Sequence, residues 1–205
     1  MPSDVYFTNS DQDSQLLEFK RKRRSQTYNY KGPKEILFFN KSTNPDGSEI
    51  KIPVAKAQIP NEVKEAIIFF LPTKKEEKTS YPLLIVNDST KAFPYGTIRI
   101  FNACGAELAG QIGNETLKVP QGISMPFSIK KIAHKGNWVK LGFAIKMPEG
   151  YELVYSNEVP FDIETRSIVV LRPPRRSNSL KIYTYLLQER QPPKAEEQQQ
   201  ESANS

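Results

Sequence analysis

No stretch of this 205-residue chain carries a helical repeat of apolar residues over three turns. Its apolar side chains come instead in short runs rich in Ile, Val, Phe and Tyr, often alternating with polar neighbours and cut by Pro, Gly, Asn or Asp. Such runs read as strands, because successive side chains of a strand point to opposite faces. Sixteen prolines, above the ~5% of average usage, enforce the cuts and argue against long helices. The pattern predicts strands over residues 5–8, 16–21, 26–30, 36–40, 49–54, 66–71, 81–87, 96–102, 108–112, 116–119, 123–129, 138–147, 151–159, 167–171 and 180–188. The run at 36–40, Ile-Leu-Phe-Phe-Asn, is continuously apolar and is expected to be central or buried on both sides. Asn44-Pro45-Asp46-Gly47 is a turn in which Pro sets φ and Asp-Gly supplies left-handed positions. Pro148-Glu149-Gly150 reads as the turn of a hairpin. Residues 60–66 amount to one helical turn at most.

Many short strands at this spacing define an all-β fold, an antiparallel β-sandwich of Ig-like or jelly-roll-like type. Two β-rich halves packed together are expected, residues 1–88 and 89–190, with a seam near 87–94. Residues 191–205 hold no large apolar side chain and are expected to form a disordered polar tail. A weak internal echo supports the halving. Ile67-Ile68-Phe69-Phe70-Leu71-Pro72 leads to Lys74, Lys75 and an aliphatic strand, and Ile168-Val169-Val170-Leu171-Arg172-Pro173 leads to Arg175, Arg176 and another. Upstream of each lies an aromatic-Asn strand end, Phe39-Asn40 and Phe101-Asn102. The intervals differ, so duplication and convergent hairpin chemistry both account for the echo.

The formal charge is +6, and the acidic tail leaves the body at +8. An excess of this sign raises the local concentration of anionic partners and also serves solubility. Its densest point is Lys20, Arg21, Lys22, Arg23 and Arg24, followed by Tyr28 and Tyr30. Such a block suits phosphate binding, with the tyrosines stacking on bases, but reads first as a solvated loop or edge that discourages aggregation. Asp11, Asp13 and Glu18 precede it and partly neutralise it. If a pseudo-two-fold relates the halves, Lys74 and Lys75 would share a face with Arg172, Arg175 and Arg176 and complete an anion-binding site.

One cysteine and one histidine leave little for catalysis. Cys104 cannot form an intramolecular disulfide and reads as a small packing residue in a turn. His134, among lysines between strands, reads as a surface residue. A nucleophile needs a base within reach, and nothing in the sequence links these two. Asp162 and Glu164 alternate after Phe161 without standing out as an acid pair. No glycine-rich phosphate loop and no EF-hand is completed. Trp138, Tyr151, Tyr155 and Phe161 would suit a sugar-stacking surface, but read first as core. No cofactor, no metal site and no enzymatic activity are expected. No apolar run approaches the ~18 residues of a membrane span.

Residues 67–190 carry Ala92-Phe93-Pro94-Tyr95-Gly96, Ile98-Arg99-Ile100-Phe101-Asn102, Val119-Pro120-Gln121-Gly122 and Arg166-Ser167-Ile168-Val169-Val170-Leu171-Arg172-Pro173. In these they resemble a group of bacterial β-sandwich proteins, many with export signals. The resemblance implies a sandwich and an extracytoplasmic setting, periplasmic or secreted, if a signal peptide was removed. The start Met1-Pro2-Ser3-Asp4 has neither basic nor apolar leader character, which leaves a cytoplasmic setting as the alternative. The first functional expectation is a non-enzymatic, envelope-associated binding or structural module whose loops or edge strands contact a protein or polymer. The second is a basic-patch module for nucleic acid or another polyanion. A carboxylate hydrolase comes last.

Overall fold

The computed structural model describes residues 4–10, 13–72, 80–174 and 179–192. Strands account for 53% of the described residues and helix for 4%. In chain order they are β1 Val5–Thr8, β2 Ser14–Leu16, β3 Glu35–Thr43, β4 Glu49–Gln58, β5 Ala66–Phe70, β6 Leu83–Asn87, β7 Thr97–Asn102 and β8 Leu108–Ile112. There follow β9 Glu115–Val119, β10 Gly122–Ile123, β11 Phe127–Ser128, the one-turn helix α1 Ile129–Ile132, β12 Trp138–Met147, β13 Gly150–Pro160, β14 Thr165–Arg172 and β15 Tyr183–Arg190.

These strands pack as four layers. The first sheet has the order β2-β1-β3-β4, the second is the ribbon β5-β6, the third runs β10-β7-β14-β15 with β11 also on β7, and the fourth runs β13-β12-β8-β9. Alternation along β5 explains the stacking. Ile68 and Phe70, with Leu83 and Ile85 of β6, face the first sheet and pack on Val5, Phe7, Ile36, Phe38, Val54, Ala55 and Ala57. Ile67, Phe69 and Leu84 face the other way, onto Phe101, Ile168, Val170 and Leu187 of the third sheet. The third and fourth sheets enclose the largest core, around Ile98, Ile100, Leu141, Phe143, Val169 and Leu171. A ribbon that packs on both faces needs a continuously apolar strand, which is why 66–71 does not alternate in polarity.

Strand pairing reveals a structural repeat. A constant shift of 101 residues carries the β5–β6 ladder, with Ile67 opposite Val86, onto the β14–β15 ladder, with Ile168 opposite Leu187. The first and fourth sheets match as well, β2-β1-β3-β4 against β9-β8-β12-β13. Each long hairpin bulges at an equivalent place, between Phe38 and Phe39 and between Phe143 and Ala144, leaving Val54 and Val154 without a ladder partner. The carbonyl of Val54 accepts from the Tyr81 amide at 2.7 Å and that of Val154 from the Ile182 amide at 3.3 Å. In both halves the bulge thus ties the outer sheet to the first residues of the returning strand. One half fills its core with Phe7 where the other has Gly110, whose missing side chain leaves room for Val119.

Several expectations are corrected. Residues 26–30 form no strand and only Ser14–Leu16 of the 14–21 region pairs. Tyr28 and Tyr30 do alternate toward the core, and both rings lie near Phe7, at 5.7 and 6.1 Å. Packing satisfies the period of two there without a neighbouring ladder. The run 36–40 is central, between β1 and β4, but is not buried on both sides, because Leu37 is 43% exposed. Residues 123–129 split into β10, β11 and the start of α1, with Pro126 in the gap, since a proline cannot donate to a ladder. The aromatic-Asn echo is misaligned: the bulges make Phe39-Asn40 equivalent to Ala144-Ile145, and Phe101-Asn102 belongs to β7. Residues 60–65 form turns, within the one helical turn at most that was expected, and Ala66 already belongs to β5. Trp138 and Tyr151 are exposed, while Tyr155 and Phe161 lie in the core.

Candidate functional site at the seam of the two sandwiches

Where the halves meet, each supplies one carboxylate. Asp88 follows β6 and Glu189 ends β15, and the shift of 101 residues makes them equivalent. Between them lies Arg166 of β14, with its side chain 5% exposed. It reaches Glu189 at 2.7 Å, Asp88 at 3.2 Å, and the carbonyls of Asp88 and Phe93. Arg24 enters from the N-terminal half and makes a two-pronged contact with Asp88, at 2.7 and 3.3 Å, while approaching Glu189 at 2.6 Å. A fork matched to carboxylates in this way fixes orientation as well as charge.

The connection 88–96 is packed into the same place. Phe93 is wholly buried, and the guanidinium groups of Arg99 and Arg166 lie over its ring at 4.9 and 5.6 Å. Arg166 also lies 5.3 Å from the Tyr95 ring. Arg99 donates to the carbonyls of Ala92 at 2.7 Å and Asn87 at 3.3 Å, and burial pulls its pKa below the ordinary arginine value. Aromatic faces and carbonyls thus hold the third guanidinium that two carboxylates leave over.

The residues expected to bind anions separate accordingly. Arg24 is committed to the seam. Lys20 is exposed and pairs with Glu18 at 2.9 Å, which raises its pKa. Arg21, Lys22 and Arg23 are exposed, and none forms an ion pair with a described acid. Arg172 is exposed at the end of β14. Lys74, Lys75, Arg175 and Arg176 lie outside the described residues, as does most of the tail. Beside the basic loop, Gln15, Leu16, Gln26, Thr27, Tyr28 and Asn29 line a shallow, open hollow.

A second feature of the seam is the edge of β5. Bonds from the Leu71 amide to the Pro82 carbonyl and from the Asp88 amide to the Glu65 carbonyl fix the phase of the ribbon ladder. Ile67 and Phe69 therefore aim their backbone groups at β6, and Ala66, Ile68 and Phe70 aim theirs at the opposite edge. On β14 the same edge is filled by β7 in parallel, with the carbonyls of Thr165 and Leu171 receiving the amides of Gly96 and Ala103. On β5 no described residue hydrogen-bonds that edge. Ile67, Ile68, Phe69 and Phe70 are all half-buried, whereas the equivalent residues 168–171 are at most 1% exposed.

Burial raises the Cys104 thiol to about 11, so it stays protonated at neutral pH. His134 is exposed and lies 3.7 Å from Glu158. Asp162 and Glu164 both face Arg190. Among the described residues no cluster of His, Cys, Asp and Glu is arranged to hold a metal ion. Sequence reading missed Asp88, Glu189 and Arg166, and the echo pointed to two of them: carried a few residues further, it pairs Asp88 with Glu189. No protein-family model matches the chain, and no curated protein matches it.

Proposed function

We propose that this chain is a non-enzymatic binding or structural module whose two joined sandwiches hold an edge strand ready for a polypeptide partner. The observation that carries the reading is the contrast between β5 and β14, which have the same ladder phase but opposite exposure of their apolar residues. The seam cluster supports it by holding β5 and β6 against the third sheet, so that the edge is presented on a rigid base. An envelope setting is part of the proposal, on the resemblance of residues 67–190 to exported sandwiches. Selection from a displayed-peptide library tests the binding reading: recovered peptides should share alternating apolar positions, and recovery of no peptide would end it. Fractionation of the native cells tests the setting.

A polyanion-binding role is the second reading, favoured by Arg21, Lys22 and Arg23, whose charges no described acid neutralises. The outer face of the first sheet adds Lys41 over Tyr6 at 5.1 Å and Lys51 over Phe39 at 4.8 Å. Retention on heparin that falls steeply with salt and drops in an Arg21→Ala, Lys22→Ala, Arg23→Ala variant would support it. Salt-insensitive behaviour would discard it.

A further inference from the structure

We propose that the open edge of β5 takes up an extended segment of another polypeptide as a parallel strand, in the place β7 takes beside β14. The inference rests on the polypeptide-binding reading and specifies its partner. Every sheet has edges, so an edge alone means little. What singles out this one is that the molecule contains the filled version of the same slot. The outer edge of β15, equivalent to that of β6, ends the third sheet, so a bare edge there is common to both halves. Among the described residues, the edge beside β5 is where the two ribbons differ.

The filled copy states what the occupant must be. Thr97-Ile98-Arg99-Ile100-Phe101-Asn102 runs parallel to β14, with Arg166 opposite Thr97 and Leu171 opposite Asn102. Ile98 and Ile100 drop into the sandwich core, and Phe101 turns to the seam. Shifted onto β5, this register sets the occupant's second residue opposite Ala66 and its fourth opposite Ile68. Those two side chains enter the core of the first sandwich beside Phe70, which now meets Phe19 and Phe38 at 5.2 and 5.1 Å. The partner is therefore a segment of about six residues with aliphatic side chains at alternate positions. The chain's own end cannot serve, since residues 191–205 begin Gln-Pro-Pro and contain no large apolar residue.

The test uses the full chain and a labelled peptide with the sequence of residues 95–103, Tyr-Gly-Thr-Ile-Arg-Ile-Phe-Asn-Ala. Saturable binding is expected, weakened about tenfold or more when the peptide carries Asp at its two isoleucines. The amides of Ala66, Ile68 and Phe70 should exchange fast in the free protein and slow on saturation, with those of Ile67 and Phe69 unchanged. Contacts between the peptide's second isoleucine and Ile68 should report a parallel strand. Ala66→Pro removes an amide that faces the slot without touching the bonds to β6, and should cost about tenfold in affinity. If that variant does not fold, the exchange pattern of the unaltered protein decides. Slow exchange at those amides before peptide is added would overturn the proposal, whether another part of the chain or a second copy covers them. So would an antiparallel peptide, or equal binding to the Ala66→Pro protein. If library peptides bind but leave these amides unchanged, the slot fails and the polypeptide-binding reading survives. If no peptide binds at all, both fail.

Discussion

The two sandwiches share six strands, two bulges and one ladder phase, yet the residues of β14 are sealed while those of β5 stand half open. The difference is one strand. β7 brings Ile98 and Ile100 into one core and closes an edge, whereas beside β5 Leu17 and Phe19 reach the other core and no described residue hydrogen-bonds the edge. Burial of a repeat is thus set by what lies beside it as much as by its own sequence, since Ile67-Ile68-Phe69-Phe70 is no less apolar than Ile168-Val169-Val170-Leu171. The halves also differ in how the ends of these strands are charged: Arg166 starts β14 where Glu65 precedes β5.

The comparison breaks most severely at the seam. Arg166→Met should lower stability by about 3–5 kcal/mol, the usual cost of leaving buried carboxylates short of a partner, and denaturant titration measures it. If the loss is below about 1 kcal/mol, Arg166 does not hold the halves together. Next comes the paired truncation of equivalent residues. Leu171→Ala should cost about 2–5 kcal/mol as a sealed core position. Phe70→Ala should cost less, although it deletes more atoms, because half its surface already meets water. Equal losses would mean that the two edges are equally closed. Arg24→Gln should cost about 1.5–3 kcal/mol, as charged hydrogen bonds to Asp88 and Glu189 are lost with Arg166 still in place.

Cys104 sharpens the comparison at the turn that follows β7. An unfolded thiol ionises near 9.0 and the folded one at about 11. Its raised pKa therefore contributes stability below pH 9 that is lost as pH rises through 11. Melting in that window, compared with Cys104→Ala, should show the extra decline only when the thiol is present. The smallest effect belongs to the triple alanine change at Arg21, Lys22 and Arg23, expected to leave stability within about 0.5 kcal/mol while testing polyanion affinity.

Most strands were legible in the sequence because turn residues cut them cleanly; Val5–Thr8, Leu108–Ile112 and Trp138–Met147 fall where alternation places them. Tyr28 and Tyr30 misled because an alternating pair records which side is buried, and does not record whether a ladder partner exists. The repeat was visible where strands return at a fixed distance, from Ile67 and Ile168 onward, and blurred upstream, where β10, β11 and α1 precede β12 alone and the turns after β3 and β12 differ in length. The charge cluster of the seam was not legible. Asp88, Glu189, Arg166 and Arg24 are isolated charges in sequence, and only packing of the ribbon on the third sheet brings them within 4 Å. The open edge was less legible still, because it is defined by the neighbour that β14 has and β5 lacks.

The charges of the seam also decide which sandwich stacks on which. Suppose the ribbon face of one chain met the ribbon face of another in place of the third sheet. Two Asp88 carboxylates would then meet, with Glu65 standing where Arg166 now stands, and the acids would outnumber the Arg24 side chains brought along. Mutual repulsion of that set penalises homotypic stacking. A duplicated module with apolar faces could otherwise grow end to end into open arrays. Here one arginine, present in only one of the two copies, opposes such growth.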